Sequence, residues 1–495
     1  MSVLPVVDEP PEPFKCEGWA LGRPFGAYRR KGVGELVLKH RRQRAEPLED
    51  APELETDHPG LKLAYDRAIA DLRSLEMPQP DGQYALAAGL PWFMTLFGRD
   101  SVISALQTKL LGPRLMAGTL HSLARLQARE IDDAADAEPG KIPHEVREGE
   151  QTVLEFVRPQ LYYGSVDSTP LFLVLLAEAY RWTGDLGLAR ALLPAAESAL
   201  GWLDEHGDHD GDGFVEYKRR TPQGLANQCW KDSWDSMSFA DGRLAEPPLA
   251  VAEVQGYVYA AKMGMAEVFR ALGDADRADR LNAEAATLKR QFDEAFWMPE
   301  AGYYAIALDR EKRQVDSIAS NAGHCLWSGI VLPHRAGSVA ARMLAPDMFS
   351  GWGVRTLSTD MARFDPVSYH NGTVWPHDNS IIAAGLARYG FFDEANELIF
   401  SLLDAAAAFP GYRLPELFAG YPRRELSFPV SYPSANAPQA WAAGAIVQFV
   451  ELLLRARPDG DRLVAGGDTG AGNANRPPIS VQLKGVPYRG GSWDL

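Results

Sequence analysis

Residues 170–206 read PLFLVLLAEAYRWTGDLGLARALLPAAESALGWLDEH. Between Thr169 and Ala179 apolar residues fall on nearly every face of a helical wheel, and a helix that is apolar all round has to be buried. This helix spans Pro170–Thr183 and stops at Gly184-Asp185. Glycine ends helices because it takes up positive φ without a steric cost. A second helix follows at Ala189–His206. The same Gly-Asp punctuation returns at Gly273-Asp274, between helices expected at Glu253–Leu272 and Ala278–Phe296, the latter with a one-sided apolar stripe. The unit is a buried helix, a Gly-Asp turn, then an amphipathic helix.

Working outward, helical periods mark Leu61–Leu72, capped by Thr56 or Asp57, then Ser101–Leu111, Leu115–Arg129, Asn321–Ile330, Ser380–Tyr389, Phe392–Ala407 and Ala437–Arg455. Strand-like pieces are short, Phe214–Tyr217 and Gly302–Leu308. Roughly ten to thirteen helices with almost no strands predict an all-α fold, a toroid of paired helices over residues 56–456. No fixed repeat length supports a solenoid. Residues 1–55, rich in Pro, Glu and Arg, read as an irregular extension. Residues 457–495 read as a Gly/Pro-rich tail closing on a weakly alternating ISVQLKGVPY.

The chain has 495 residues, 46% hydrophobic and 23% charged, which excludes a mainly disordered protein. A net charge of -16 argues against a nucleic-acid partner. Three scattered cysteines, Cys16, Cys229 and Cys325, offer neither a disulfide framework nor a zinc site. The run Leu171–Ala179 is too short and too interrupted for a membrane span, and the N-terminus lacks the pattern of a secretory signal. A cytoplasmic location is the expectation, with a homo-oligomer left open.

Four loop clusters carry the chemistry: Pro91–Asp100 (PWFMTLFGRD), Cys229–Asp235 (CWKDSWD), Tyr369–Asp378 (YHNGTVWPHD) and Leu414–Tyr421 (LPELFAGY). Indole and phenol rings beside carboxylates suit a sugar, because the ring stacks on the pyranose and the acids bind hydroxyls. Buried core aromatics and helix-capping acids are the plainer reading of any one cluster. Glycoside hydrolysis needs two carboxyl groups on opposite sides of the anomeric carbon. Asp232, between Trp230 and Trp234, suits the acid, since an apolar setting keeps a proton on it. A helix N-cap is the alternative role for Asp232, and Asp235 is the rival acid. Glu416 suits the opposing base. In an inverting enzyme the two stand roughly 6.5–9.5 Å apart. Asp208-His209-Asp210-Gly211-Asp212-Gly213 resembles the start of a calcium loop, but Arg219 stands where the twelfth-position Glu belongs, so a turn is expected. No serine-hydrolase elbow, phosphate loop or catalytic metal pattern is present, so neither a cofactor nor a metal is expected.

The strings PWFMTLFGRDS, KIPHEVREGE, VDSTPLFLVLLAEAY, NQCWKDSWDS, GWGVRTLS, YHNGTVWPHDN, LPELFAGY and SYPSANAPQAW, spread over residues 57–456, resemble the amylo-α-1,6-glucosidase family, the glucosidase domain of glycogen debranching enzyme. The resemblance implies an inverting, exo-acting α-glycosidase on an (α/α)6 toroid. It implies Asp232 as general acid and Glu416 as general base, with Arg99 and Asp100 holding the terminal sugar. It implies Trp92, Trp230, Trp352 and Trp375 as aromatic walls, with His144, Glu145, Asp167, Lys231, Asn371, His377 and Asp378 lining the pocket. Asp235 and Tyr421 are placed with the substrate-binding residues. Longer bacterial members of that family carry a β-rich domain ahead of the toroid, which this sequence does not show. A small α-glucoside or short oligosaccharide therefore competes with glycogen as substrate. YHNGTVWP also resembles neutral invertases and glycosidases of small compatible solutes. A toroid that binds glycan without cleaving it is the non-enzymatic alternative.

Overall fold

A computed structural model of the chain describes residues 51–147, 160–466 and 479–495. The chain divides into two units, Met1–Pro47 and Leu48–Leu495, and the described residues all fall in the second. The irregular extension expected over residues 1–55 thus lies almost wholly outside the described residues. Among those described there are twelve α-helices. In chain order they are α1 (Pro59–Leu75), α2 (Gly98–Gln107), α3 (Arg114–Leu126), α4 (Ser168–Thr183), α5 (Leu186–Glu205), α6 (Ala252–Leu272), α7 (Ala275–Phe296), α8 (Asn321–Ser328), α9 (Pro333–Met343), α10 (Pro376–Arg388), α11 (Phe392–Ala408) and α12 (Ala440–Leu454).

The Gly-Asp pairs act in two steps. Gly184 (φ 68°) ends α4 in the left-handed conformation. Asp185 then caps α5, its Oδ1 accepting from the backbone N–H of Gly187 at 2.7 Å and Leu188 at 3.0 Å. Gly273 (φ 93°) and Asp274 do the same between α6 and α7, with Asp274 Oδ1 accepting from Arg277 N at 3.0 Å. The glycine releases the chain from one helix, and the carboxylate satisfies the orphan donors of the next. Each pair folds back into an antiparallel hairpin.

The even-numbered helices pack on one another in a cycle: α2 on α4, α4 on α6, α6 on α8, α8 on α10, α10 on α12, and α12 on α2. Their sequences explain the position. Every residue of α2 is buried, and α12 buries thirteen of its fifteen residues. The odd-numbered helices lie against this cycle and are amphipathic. In α7 the buried set is Ala278, Leu281, Ala285, Leu288, Phe292 and Phe296, one stripe at helical spacing.

Several sequence expectations need correction. The N-cap of α1 is His58, whose Nδ1 accepts from Leu61 N at 3.0 Å, and not Thr56 or Asp57. Thr56 closes a strand, Glu53–Thr56, paired antiparallel with Val481–Lys484. Helix α9 was not anticipated, because its buried face (Ala336, Val339, Ala340, Met343) has the right period but is built mostly of small side chains. Phe214–Tyr217 is not a strand. The Gln255 side chain bonds both the N–H and the carbonyl of Val215, at 3.0 and 2.7 Å, and takes the place of a partner strand. In the tail Arg457–Asp459 pairs with Arg462–Val464 across a turn whose Gly460 has φ 58°.

Backbone packing between α4 and α6 depends on Gly264, where an added Cβ would meet the Ala177 Cβ at 2.5 Å. Gly201, inside α5, has open space around it. Gly264→Ala should lower stability by about 1–3 kcal/mol through overpacking. Gly201→Ala should raise it by roughly 0.5–1 kcal/mol through helix propensity. Denaturant midpoints of the two variants test this opposite pair of signs.

Candidate active site

Polar side chains that a hydrophobic core would exclude gather at the N-terminal ends of the even-numbered helices. Arg99 and Asp100 lie in the first turn of α2, and Asp167 immediately precedes α4. Glu253 opens α6, Asn321 opens α8, and His377 and Asp378 open α10. All are buried. Helix N-termini present unpaired N–H groups and a positive dipole end, so carboxylates are tolerated there better than elsewhere in an interior. Contacts pass from helix to helix at this level. Arg99 Nη1 donates to Asp167 Oδ2 at 3.2 Å, Asn321 Nδ2 to Glu253 Oε2 at 2.8 Å, and His324 Nε2 meets Asp378 Oδ1 at 2.8 Å. The His377 ring stacks on Trp441 of α12, centroids 3.7 Å apart.

Asp232 lies in the long connection between α5 and α6, with 30% of its side chain exposed. Its Oδ2 is 3.6 Å from Arg99 Nη2 and 3.9 Å from His144 Nε2. Arg99 Nη2 also approaches His144 Nδ1 at 3.4 Å. The apolar sandwich expected around Asp232 is not what forms. Trp230 is buried, but Trp234 is 66% exposed, and a guanidinium and an imidazole are close neighbours instead.

Glu416 lies between α11 and α12 and is buried. Tyr369 Oη donates to its Oε1 at 2.6 Å, while the backbone N–H and Nδ2 of Asn436 donate to its Oε2 at 2.9 and 2.8 Å. Burial raises the Glu416 carboxyl above the usual range, and these donors oppose the rise. Asn436 Oδ1 also accepts from the backbone N–H of Trp92 at 3.0 Å, which fixes the 66% exposed Trp92 next to this carboxylate's support. Asp100 is influenced by both acids. Burial, together with the charges of Glu416 and Asp232, pushes its carboxyl up to about 7 against the pull of Arg99.

Two consecutive residues join the loops. Tyr369 holds Glu416, and His370 Nδ1 meets Ser233 Oγ, next to Asp232, at 2.7 Å. Trp375 packs on both rings, edge-on to Tyr369 at 4.8 Å and stacked on His370 at 5.2 Å.

The other candidates divide into floor and periphery. Lys231 turns inward and donates to the Thr356 carbonyl at 2.6 Å, and burial lowers its ammonium pKa. Trp230 stacks on His324 and meets His377 edge-on. Asp378 is tied to His324, whose Nδ1 contacts Tyr257 Oη at 2.5 Å. Asn371 Nδ2 donates to the Asp235 carbonyl at 3.3 Å, and the Asp235 carboxylate faces Arg363 at 3.9 Å. Glu145 accepts from Arg147 Nε at 2.9 Å. The Trp352 ring lies under Arg423, 4.3 Å away. Tyr421 lines a separate cavity. Tyr369, His370, Ser233 and Asn436 were not singled out from sequence, although all four lie inside the strings quoted above. Their role shows only through partners at least 20 positions distant. Lys312 Nζ sits 2.9 Å from Asp210 and 2.7 Å from Asp212 of the Asp208–Gly213 loop, and 2.5 Å from Glu216 just after it.

The family model of the mannosylglycerate hydrolase MGH1-like glycoside hydrolase domain matches residues 99–420. The fold is similar to that of a sialidase, with a TM-score of 0.63 and 11% identity over 92% of this chain, which spans 40% of the sialidase. It is also similar to the GH63 mannosylglycerate hydrolase from Thermus thermophilus in complex with Tris, with a TM-score of 0.58 and 15% identity over 78% of this chain and 99% of that one. At such identities the likeness is one of fold. No curated protein matches the chain. The expectation of a glycosidase holds at the level of the class, without specific support for the amylo-α-1,6-glucosidase type: the chain belongs to the mannosylglycerate hydrolase MGH1-like glycoside hydrolases.

Proposed function

We propose that the chain is an (α/α)6 toroid acting as an inverting, exo-acting α-glycosidase in the cytoplasm, with Asp232 as general acid and Glu416 as general base. The observation that carries this reading is the pair Tyr369-His370, which orients one carboxylate and anchors the loop of the other. In the proposed reaction Asp232 gives its proton to the glycosidic oxygen as the C–O bond breaks. Glu416 takes a proton from the water that attacks the anomeric carbon from the opposite face. A carboxylate offers about four acceptor positions. Three on Glu416 are taken by Tyr369 and Asn436, which leaves room for one water. Arg99 and Asp100 would grip the glycone hydroxyls.

The family match favours a small α-glycoside over a branched glucan, because the matching model describes mannosylglycerate hydrolases. Exposed Trp92 and Trp234, one near each carboxylate, supply rings on which an aglycone can lie. A panel of sucrose, glucosylglycerate, mannosylglycerate, isomaltose and branched dextrin, followed by anomer-resolved NMR, tests the reading. It expects a small substrate and a first product of inverted configuration. Retention of configuration, or a preference for dextrin, would overturn it.

Asp232→Asn and Glu416→Gln should each lower kcat by about 10²–10⁴-fold with little change in sugar affinity. Near-normal turnover in either would remove that assignment. The base must be ionised to act, so the acid limb of kcat/KM should lie above the ordinary carboxylate range, following the raised Glu416. Tyr369→Phe removes a donor that favours the ionised form, so the limb should move to still higher pH. A pH–rate profile that shifts downward or stays fixed would contradict the placement.

A further inference from the structure

A cavity of about 450 Å³ opens beside the Glu416 loop, with Arg355, Phe364, Gly420, Tyr421 and Arg424 in its wall. None of these residues takes part in the contacts around Asp232 and Glu416. Arg355 is buried, and its guanidinium donates only to backbone carbonyls: Nε to Gly420 at 2.6 Å, Nη1 to Pro346 at 3.3 Å and to Asp347 at 3.2 Å. Among the described residues no carboxylate forms an ion pair with it, and Nη2 has no partner. The Asp347 carboxylate, also in the wall, is already committed. Arg342 holds both its oxygens at 2.7 Å, and Ser358 bonds it too. Buried charges are normally paired, because an uncompensated ion is costly to desolvate. Burial depresses the Arg355 pKa to about 10, with the charge of Arg424 acting in the same direction and those of Asp347 and Glu425 offsetting it only in part. Arg424 adds a second guanidinium, largely exposed at the rim, with Glu425 3.8 Å away.

We propose that this cavity binds a small anion, carboxylate or phosphate, as the missing counter-ion of Arg355, with Arg424 closing on it from the rim. The planar guanidinium fork suits either group, and the volume is that of a small-molecule site. The site also reaches both catalytic loops. Arg355 holds the Gly420 carbonyl, four residues past Glu416. Its neighbour Thr356 accepts from Lys231, next to Asp232, at 2.6 Å, and bonds Gly372 N at 2.8 Å. An anion that draws Arg355 toward itself pulls on the backbone under both carboxylates, so occupancy tunes turnover.

The test uses the full chain at constant ionic strength. Inorganic phosphate and D-glycerate are titrated separately, with calorimetry and the thermal midpoint as readouts, neither of which needs turnover. Failure of the glycosidase reading would therefore leave this result intact. Wild type should show saturable binding of at least one of the two, and which one identifies the group. Arg424→Ala should weaken it about tenfold, the worth of one charge-assisted contact, and Arg355→Met should abolish it. If Arg355→Met does not fold, Arg424→Ala decides alone. Binding that is absent for both anions, or unchanged in Arg424→Ala, as for an anion held in the catalytic funnel, overturns the proposal.

Discussion

The site depends on one dipeptide. Tyr369 and His370 are neighbours along the chain, and their side chains reach opposite carboxylate loops. The spacing of a single residue therefore sets how far apart Glu416 and the Asp232 loop can lie. Trp375 packs against both rings and donates its Nε1 to the Tyr369 carbonyl at 2.9 Å, which limits rotation of either. A glycosidase needs its acid and base held at a separation that admits a sugar and a water. If Asp232 and Glu416 are that pair, as proposed, the covalent link between Tyr369 and His370 and the hydrogen bonds to Glu416 and Ser233 would hold their separation.

Around this clip the helix N-termini do the electrostatic work. Asp100, Glu253 and Asp378 each stand in the first turn of a buried helix. Such positions reduce the cost of an interior carboxylate, because free N–H groups and the helix dipole offset part of the lost hydration. The compensation is incomplete, and burial still pushes Glu253 and Asp100 upward. A fold built from a cycle of buried helices thus supplies a polar end without a separate device. Loops add the aromatic rings and the carboxylates Asp232 and Glu416, which are proposed to react.

The family assignment also shows what the loop strings report. PWFMTLFGRDS, NQCWKDSWDS and LPELFAGY come from the segments that carry Arg99, Asp232 and Glu416. Related glycosidases with different aglycones share the need to hold a sugar and flank its anomeric carbon. Such strings identify the chemistry more securely than the leaving group. In the proposed function the aglycone would meet exposed residues such as Trp92 and Trp234, which the core does not constrain. That is why the glycosidase class was legible and the debranching reading was not sustained.

Local signals in the sequence were sufficient for eleven of the twelve described helices and their Gly-Asp turns, and they drew attention to the candidate carboxylates. Helical periodicity and capping act over three or four residues, and the acids sat in recognisable strings. Helix α9 escaped because small side chains weaken the apolar signal, and Val215 escaped because a glutamine stood in for a strand. Only the tertiary structure decided which polar groups meet. It put Arg99 and His144 beside Asp232 where indoles were expected, tied Asn436 to Glu416, and gave Arg355 no acidic partner among the described residues. Asn436 and Glu416 are 20 positions apart, and Ser233 and His370 are 137 apart. A hydrogen bond that closes such a loop leaves no periodic trace along the chain.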